Sequence, residues 1–550
     1  MTLLLLSILG LALGPLLDGF ASRKISIVIF LEGFVAATIM GLVLGHILPE
    51  AAEIGGWRCL PVAFVGLIGP QILEKWSHRS EHRIHGTVAT LALAGLFFHT
   101  LLDGAALTGA HHPGAASPAL GMSILLHRLP VGLTVWWLVR RSAGTIPAVV
   151  SLLAICAGTL IGYQAGEATI DHLDTISVAL FQAFVGGSLV HVVLHRSLTE
   201  TATADSDTHS SHLGPFDWSG IGAVIGIAVL LLVPLSGHAA ESQTGVAATF
   251  MSYWLESAPF LLLGYLLVSL LRKPANHQQR CSETIFRTTF TNWQSHPDIS
   301  GISQKAALRI LILSPVLYLP AILLAFALLG FATTAALVLT LVAVALLLKL
   351  TSEQGLDTPD HTPHFEMVRE AGPILNLETA VDRTASWVLI GLLAASLLQV
   401  FISPDWITGI SGYLQIVVLA ALGSVISLPM FAGLPIALAY LSKGGVPGAA
   451  VSLLITGAVV TSTSLHLLRT KFSLRIAILF ATTVVSAALL TGFIVNHLQW
   501  ATEITPVVDA SFLHQAAAVL LGILYTLSLM RHGPGRMVAT LGHTSHHHNH

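Results

Sequence analysis

Apolar runs of membrane-spanning length recur along the whole chain. A helix needs about 20 apolar residues to cross the hydrocarbon core of a bilayer, and roughly fifteen segments of that length or slightly shorter can be counted by hydropathy. With 54% hydrophobic and 10% charged residues, the composition is not that of an ordinary soluble domain. The runs are continuous and lack the alternation of a membrane barrel, so we predict an all-α, polytopic membrane protein.

Polar stretches divide the predicted helices into two fused bundles. The first covers residues 1–237, the second covers 238–532 with about seven segments, and a His-rich tail covers 533–550. Polar loops interrupt the second bundle at 272–306 and 350–382. The eight segments of the first bundle are predicted at 3–18, 25–48, 60–74, 86–109, 119–139, 146–166, 175–195 and 219–236.

Proline and glycine break one apolar stretch of the second bundle. The sequence SLPMFAGLP contains Pro429, Gly433 and Pro435, and broken helices at membrane depth often mark binding sites in transporters. We predict a broken or re-entrant region near 427–467, in which 449–467 forms a re-entrant hairpin.

Lysine and arginine are distributed unevenly between the short loops. The positive-inside rule places the N-terminus outside and, with the hairpin at 449–467, the C-terminus in the cytoplasm. The expected location is a cell membrane, such as a bacterial inner membrane. Arg58 stands alone on the outer side of the first bundle, and the inner side carries Arg23, Lys24, Lys75, Arg79, Arg83, Arg140, Arg141 and Arg196.

Several function classes lack their sequence signals. The net charge of −3 and the absence of a basic stripe or phosphate loop indicate no nucleic-acid partner. Cys59, Cys156 and Cys281 form no CxxC motif, so no thiolate metal site is expected. Without a nucleophile–base arrangement or HExxH, we expect neither an enzyme nor a required cofactor. Lipid and a transported solute are the expected partners, and the sequence leaves a homo-oligomer open.

Ionisable residues inside the first bundle are the main functional signal, because charges in spanning helices are costly. His99 and Asp103 stand four residues apart in GLFFHTLLDG, on one helix face. The next segment carries His127 and Arg128 at about mid-helix, followed by Pro130, which frees a backbone carbonyl.

Two further segments repeat this spacing. His46 and Glu50 flank Pro49 at the end of the second segment, and His191 and His195 end the seventh. Four predicted helices therefore carry histidine, and three of them place a second histidine or an acid one turn away. The repetition favours a polar pathway over isolated packing contacts.

These motifs resemble those of the Zrt/Irt-like (ZIP) divalent metal transporters. HTLLDG at 99–104, HRLP at 127–130 and HILPE at 46–50 stand where that family has its fourth-, fifth- and second-helix motifs. The resemblance implies eight helices with both ends outside and a metal site formed by His99, Asp103 and His127. It also implies a His-rich cytoplasmic loop, here with His78, His82 and His85.

The chain departs from the ZIP pattern at the fifth helix. Family members have acids where this chain has Arg128 and Val131, so a two-metal centre is not expected. His99, Asp103 and His127 retain a mononuclear ligand set suited to zinc, with Arg128 modulating it. The alternative is that Arg128 pairs with Asp103 and an internal salt bridge has replaced the metal.

The second bundle resembles a predicted permease family that includes organoarsenical efflux proteins. LESAPFLLLGYLL at 255–267 is similar to the first-helix motif of that family, and 380–406 is similar to the start of its second repeat. The stretch 427–457 resembles its Pro-x-Cys-x-Cys-Gly-x-x-Pro segment, with Phe431 and its neighbours in place of the cysteines. Thiol-dependent substrate binding is therefore not expected.

Histidines close the chain in LGHTSHHHNH. Together with the histidines of the third loop they could capture divalent ions loosely. The tail histidines are His543, His546, His547, His548 and His550.

Three functional hypotheses follow from the sequence. The first is a permease for divalent metal ions, with zinc as the preferred ion, working by alternating access around His99, Asp103 and His127. His46, Glu50, His191 and His195 would line its route. The second gives transport of another small solute to the second bundle, with a vestigial first bundle. The third is a metal-sensing membrane protein without transport.

Overall fold

A computed structural model describes most of the chain. The described residues are 2–21, 24–76, 118–170, 212–213, 216–232, 245–271, 304–351, 373–498 and 511–542, with parts of 93–107 and 176–191. Their regular structure is helical apart from one short antiparallel hairpin, His212–Leu213 with Phe216–Asp217. The predicted all-α membrane fold is confirmed.

The described helices include several that can cross a bilayer. Eight are long and apolar enough by length and composition, or nine if the bent pair Pro447–Val459 and Ser462–Lys471 is one span. Because 1.5 Å of rise per residue makes 20 residues about 30 Å long, the shorter apolar helices do not cross by themselves. The chain is thus an integral, multi-pass membrane protein.

The chain forms two compact units. The first contains Met1–Gly245 and also Leu529–Gly542, and the second contains Val246–Ser528. The change between them falls close to the predicted boundary at 237–238. The stretch Leu529–Gly542 covers the last residues of the predicted second bundle and the start of the predicted tail, but it packs in the first unit, where Gly533 lies beside Ser219.

The first unit contains seven labelled helices and one π-helical turn. Residues between 96 and 107 and the segment Ala179–His191 are also helical where they are described. The helices are α1 (Thr2–Ala21), α2 (Ile25–Leu42), α3 (Leu48–Gly55), α4 (Cys59–Trp76), α5 (Pro118–Ala143), α6 (Thr145–Ile170) and α7 (Trp218–Leu232), and the π turn is Val43–Ile47.

Glycines set the close packing of helix pairs in the first unit. A Cβ on Gly132 of α5 would lie 2.5 Å from the backbone oxygen of Leu11 of α1, and one on Gly14 would lie 2.7 Å from the backbone of Gly132. A Cβ on Gly162 of α6 would overlap the backbone oxygen of Leu101. Membrane helices gain van der Waals contact when small residues let their backbones approach. These contacts join α1 to α5, and α6 to the segment that carries Leu101 and Asp103.

The second unit contains eleven helices among its described residues. They are α8 (Val246–Leu271), α9 (Gln304–Leu317), α10 (Leu319–Thr351), α11 (Pro373–Phe401), α12 (Pro404–Thr408), α13 (Gly412–Ile426), α14 (Met430–Ser442), α15 (Pro447–Val459), α16 (Ser462–Lys471), α17 (Leu474–His497) and α18 (Phe512–Gly542), the last of which continues into the first unit.

Helices α14 and α15 form the core of the second unit. Almost every residue of both is buried, and α14 packs on α11 while α15 packs on α13 and α17. Tyr440 of α14 donates a hydrogen bond to the side-chain carbonyl of Gln415, and Val446 N–H donates to the same oxygen at 3.2 Å. These bonds fix the turn between the two helices.

The structure changes three details of the predicted second bundle. The loop predicted at 350–382 is shorter than expected, because α11 already begins at Pro373. Its first residues, 373–382, include charged side chains, and the sequence pattern for that reason assigns them to the loop. The apolar stretch that follows the loop predicted at 272–306 is divided at Tyr318, between α9 and α10, where Pro315 and Pro320 have no N–H for a helical hydrogen bond.

The reversal of chain direction lies elsewhere than predicted. Helices α15 and α16 are bent by only 44°, so 449–467 continues in one general direction and is not a hairpin. The reversals fall before and after α14, at 427–429 and 443–446. Lys443 and Arg475 therefore lie at opposite ends of α17, although the hairpin predicted at 449–467 would place them on one side of the membrane.

Candidate functional site

A buried ion pair occupies the place predicted for the metal. Arg128 of α5 is fully buried, and its Nη2 lies 3.2 Å from Oδ2 of Asp103, whose side chain is 12% exposed. Helix α1 covers the pair, since a Cβ on Gly10 would lie 3.1 Å from Cβ of Arg128. The alternative considered from sequence, an internal salt bridge, is thus present in the structure.

The ion pair neutralises two charges that would each be costly in a membrane interior. Three guanidinium nitrogens of Arg128 make no geometrically complete hydrogen bond within the described residues, so Asp103 provides mainly charge compensation. A divalent ion at the Asp103 carboxylate would have to compete with this fixed cation. The arrangement disfavours cation binding while Arg128 stays in place.

The other predicted metal ligands are only partly described. His99 lies outside the described residues, and His127 lies on α5 with a side chain outside them. In the part of the chain that the structure describes, no group of three or more His, Cys, Asp or Glu side chains could hold a metal ion. The structure brings Asp103 and Arg128 together and leaves the complete ligand set a prediction.

The predicted pathway residues show one local feature that the sequence did not reveal. His46 lies in the π turn, where Leu48 N–H donates to the carbonyl of Val43 five residues earlier. Pro49 has no N–H for the next helical bond, and π turns occur frequently at functional sites. The α-helical spacing assumed between His46 and Glu50 therefore does not hold, and both side chains are outside the described part.

The remaining histidines divide between described and undescribed residues. His191 is buried at the end of Ala179–His191. The residues outside the described part are His195, His78, His82, His85, His543, His546, His547, His548 and His550. Their predicted roles in the route and in metal capture stay predictions.

Asp18 is a second buried carboxylate of the first unit, which sequence reasoning missed. Its two oxygens accept the Nε1–H groups of Trp136 at 2.9 Å and Trp137 at 2.8 Å, and Arg140 pairs with it as well. All these partners lie on α5, so the cluster joins the ends of α1 and α5. Its partners give Asp18 a structural role.

Two backbone breaks meet in the second unit. Helix α13 ends at Ser427, whose φ of 55° is left-handed, and α14 begins after Pro429. Val460 and Thr461 separate α15 from α16. The breaks are joined because Ser462 N–H donates to Oγ of Ser427 at 3.1 Å.

The joined breaks lie within the length of a spanning helix. Helix α15 packs antiparallel to α17: Ser452 Oγ donates to the carbonyl of Ala488 at 2.9 Å, and a Cβ on Gly448 would overlap the backbone oxygen of Gly492. If the antiparallel pairing of α15 with α17 continues at the same register, Val460 lies opposite residue 480 of α17. At a rise of 1.5 Å per residue, residue 480 is about 8 Å along the axis from the midpoint of α17. The breaks are therefore at membrane depth.

The predicted residues of the helix break have distinct roles. Pro429 precedes α14 as its N-cap. Gly433 allows close packing, since a Cβ there would lie 2.9 Å from the side chain of Leu454. Pro435 lies inside α14 and is buried. The aromatic ring of Phe431 packs edge-on against Tyr318 with 5.8 Å between centroids. The division between α9 and α10 at Tyr318 therefore lies close to the break at 427–429.

Sequence reasoning also missed Glu256, a carboxylate in the middle of α8. The signal was present in LESAPFLLLGYLL, where one acid interrupts an otherwise apolar run. The stretch was used for its resemblance to a permease motif, and the acid was not singled out.

Comparison with known proteins gives no match of any kind: no family model, no curated protein and no solved structure is similar to this chain.

The buried ion pair makes a prediction about stability. Asp103→Asn and Arg128→Met should each lower the free energy of unfolding by about 3–5 kcal/mol, because each leaves a buried charge without compensation. The double variant should lose clearly less than the sum. Thermal and denaturant unfolding of the full chain in detergent measures these values.

Matched controls are the exposed residues Asp405 and Arg469. Asp405→Asn and Arg469→Met should change stability by no more than about 0.5 kcal/mol. Additive losses in the Asp103/Arg128 double variant would contradict a direct interaction between the two charges.

Proposed function

We propose that this membrane protein is a permease and that its solute path runs through the second unit, where the breaks at 427–429 and 460–461 meet. The observation that carries the proposal is the hydrogen bond between Ser462 N–H and Ser427 Oγ at membrane depth. Non-helical backbone is tolerated at that depth where it is buried in protein or lines a water-filled cavity. Two breaks held against each other are the arrangement expected of a solute path.

The ends of four helices define the chemistry of this place. Helices α13 and α15 end there, and helices α14 and α16 begin there. Helix termini carry partial charges of opposite sign. Together with the hydroxyls of Ser427, Thr461 and Ser464, they favour a small, polar, weakly bound solute.

Thiophilic solutes do not fit the second unit. The described cysteines, Cys59 and Cys156, belong to the first unit, and Cys281 stands far along the chain from both breaks. The resemblance to organoarsenical permeases therefore supports the transport class and not its arsenical substrate.

The orientation of the second unit follows from its basic residues. Arg469, Lys471 and Arg475 gather where α16 meets α17, and the positive-inside rule assigns that end to the cytoplasm. Lys443 then belongs to the outer end, as the only basic residue of the turn after α14.

Thiol accessibility tests the path without knowledge of the solute. In full-length protein with Cys59, Cys156 and Cys281 replaced by serine, Ser427→Cys should react with a membrane-impermeant maleimide added from either side of the vesicle. Ser452→Cys, on the fully buried face of α15, is the control and should stay unreactive. If neither cysteine reacts with the maleimide from either side of the vesicle, the proposal is contradicted.

Divalent-metal transport through the first unit is the second candidate, supported by the pattern of His99, Asp103 and His127 and limited by the charge of Arg128. If zinc is the substrate, radiolabelled zinc should enter vesicles containing the wild type, and His99→Ala should reduce the flux at least tenfold. Arg128→Glu should alter it, because it removes the competing cation.

The same vesicles separate this candidate from the others. Zinc flux equal to that of empty vesicles, unchanged in both variants, would exclude metal transport. Stoichiometric zinc binding without flux would instead support the metal sensor considered from sequence.

A further inference from the structure

Glu256 places a carboxylate near the centre of a membrane-spanning helix. Helix α8 extends from Val246 to Leu271 and meets the criteria for a span. Glu256 lies about 4 Å along the axis from its midpoint at 1.5 Å per residue. Its side chain is half-buried, and an ionisable group at this depth is a functional candidate by default.

The surroundings of Glu256 do not compensate a negative charge. Among the described residues, no ion pair or hydrogen bond to its carboxylate is found, in contrast to Asp18 and Asp103. No fixed positive charge among the described residues therefore holds this carboxylate in one protonation state.

Two further polar groups lie beside Glu256 on α8. Pro259 has no N–H to donate to the carbonyl of Leu255, which is therefore freed from the helical pattern. Ser257 is 1% exposed, and its Oγ has no hydrogen-bond partner within the described residues. A carboxylate, a freed carbonyl and an unpaired hydroxyl within three positions could hold and exchange a proton.

The titratable groups packed around Glu256 are phenols. Tyr253 lies one turn earlier on α8, and Tyr525 of α18 packs edge-on against Trp254 at 5.4 Å between centroids. The segment of α10 that passes α8 has no charged residue, since the first along that helix is Lys349. His514 of α18 is exposed and bonds Ser511.

The charged residues of α11 lie at a different level. The hydroxyls of Tyr265 and Thr384 lie 2.6 Å apart. Tyr253 lies near Ser442, which donates to Gln399, so α8 and α11 are antiparallel. Tyr265, which pairs with Thr384, is about 13 Å from Glu256 along the axis of α8. The charged residues of α11 lie beyond this level, farther from Glu256, because they precede Thr384 in an antiparallel helix; they are Glu378, Asp382 and Arg383.

The same antiparallel pairing relates Glu256 to the helix breaks. Gly391 of α11 lies against Ala432, at the start of α14 just after the break. If the antiparallel register set by Tyr265 and Thr384 continues along both helices, Gly391 of α11 lies opposite residue 258 of α8. Residue 258 is about half a helical turn from Glu256. The carboxylate and the break therefore lie at about the same depth in one unit.

We propose that Glu256 is the protonation site through which transport by the second unit is coupled to a proton gradient. The inference rests on the proposed function. An Oε atom of Glu256 takes up a proton when the site is open to the acidic side and releases it when the site is open to the other.

Labelling with dicyclohexylcarbodiimide tests this site directly. The reagent adds to protonated carboxyl groups in apolar surroundings, and mass spectrometry of the full-length protein in detergent locates the adduct. We expect an adduct on Glu256 at neutral pH, and labelling that falls about tenfold per pH unit once the pH exceeds the pKa of the acid. Asp405, exposed in α12, is the internal control and should stay unlabelled.

Each outcome bears on the inference. No adduct on wild-type Glu256, or labelling independent of pH, overturns it, and neither result depends on the folding of a variant. Protection by sodium but not by potassium at constant pH also overturns it, in favour of a sodium site. In Glu256→Gln the adduct should disappear, while Ser427→Cys on that background should keep its maleimide reactivity.

The labelling is independent of the transport proposal. If Glu256 is labelled with the expected pH dependence but Ser427→Cys is inaccessible from both sides, the permease function fails and the protonation site stands. If Ser427→Cys is accessible and Glu256 is unlabelled, the path stands and the coupling inference fails.

Discussion

The backbone hydrogen bond is the constraint on which the rest of this structure depends. In hydrocarbon every N–H and C=O group must be paired within the protein, so the chain is helical wherever it crosses. The breaks in the second unit satisfy the same requirement with side chains: Ser427 accepts from Ser462 N–H, and Thr461 caps α16 by accepting from Ser464 N–H. Non-helical backbone is retained at a depth where lipid could not solvate it.

Buried charges are treated differently in the two units. In the first, Asp103 faces Arg128, and Asp18 faces Arg140 and two indole N–H groups. In the second, Glu256 lies in mid-span without such a partner among the described residues. Paired charges stabilise one arrangement, whereas an unpaired acid can change its protonation state. This difference, together with the breaks, is why we assign the transport path to the second unit.

Much of the fold could be predicted because continuous apolar runs have one structural solution in a membrane. The start of α2 at Ile25 and the broken region near 427–467 follow from apolar length, proline and glycine. The antiparallel course of α14 could not be predicted, since it depends on the contacts of Gln415 with Tyr440 and Val446. Likewise, HTLLDG and HRLP predicted a metal site and left an Asp103–Arg128 pair as the alternative, and it is the 3.2 Å separation of these two side chains that favours the salt bridge.

Hydrogen–deuterium exchange of the full-length protein in lipid nanodiscs tests the central claim most directly. If the joined breaks line a solute path, the amides of residues 428, 430 and 431 and of 460–464 should exchange at least tenfold faster than those at the centres of α15 and α17, although all lie at membrane depth. Exchange at the breaks as slow as in those helix centres would show that water does not reach them, and would contradict a path through the second unit.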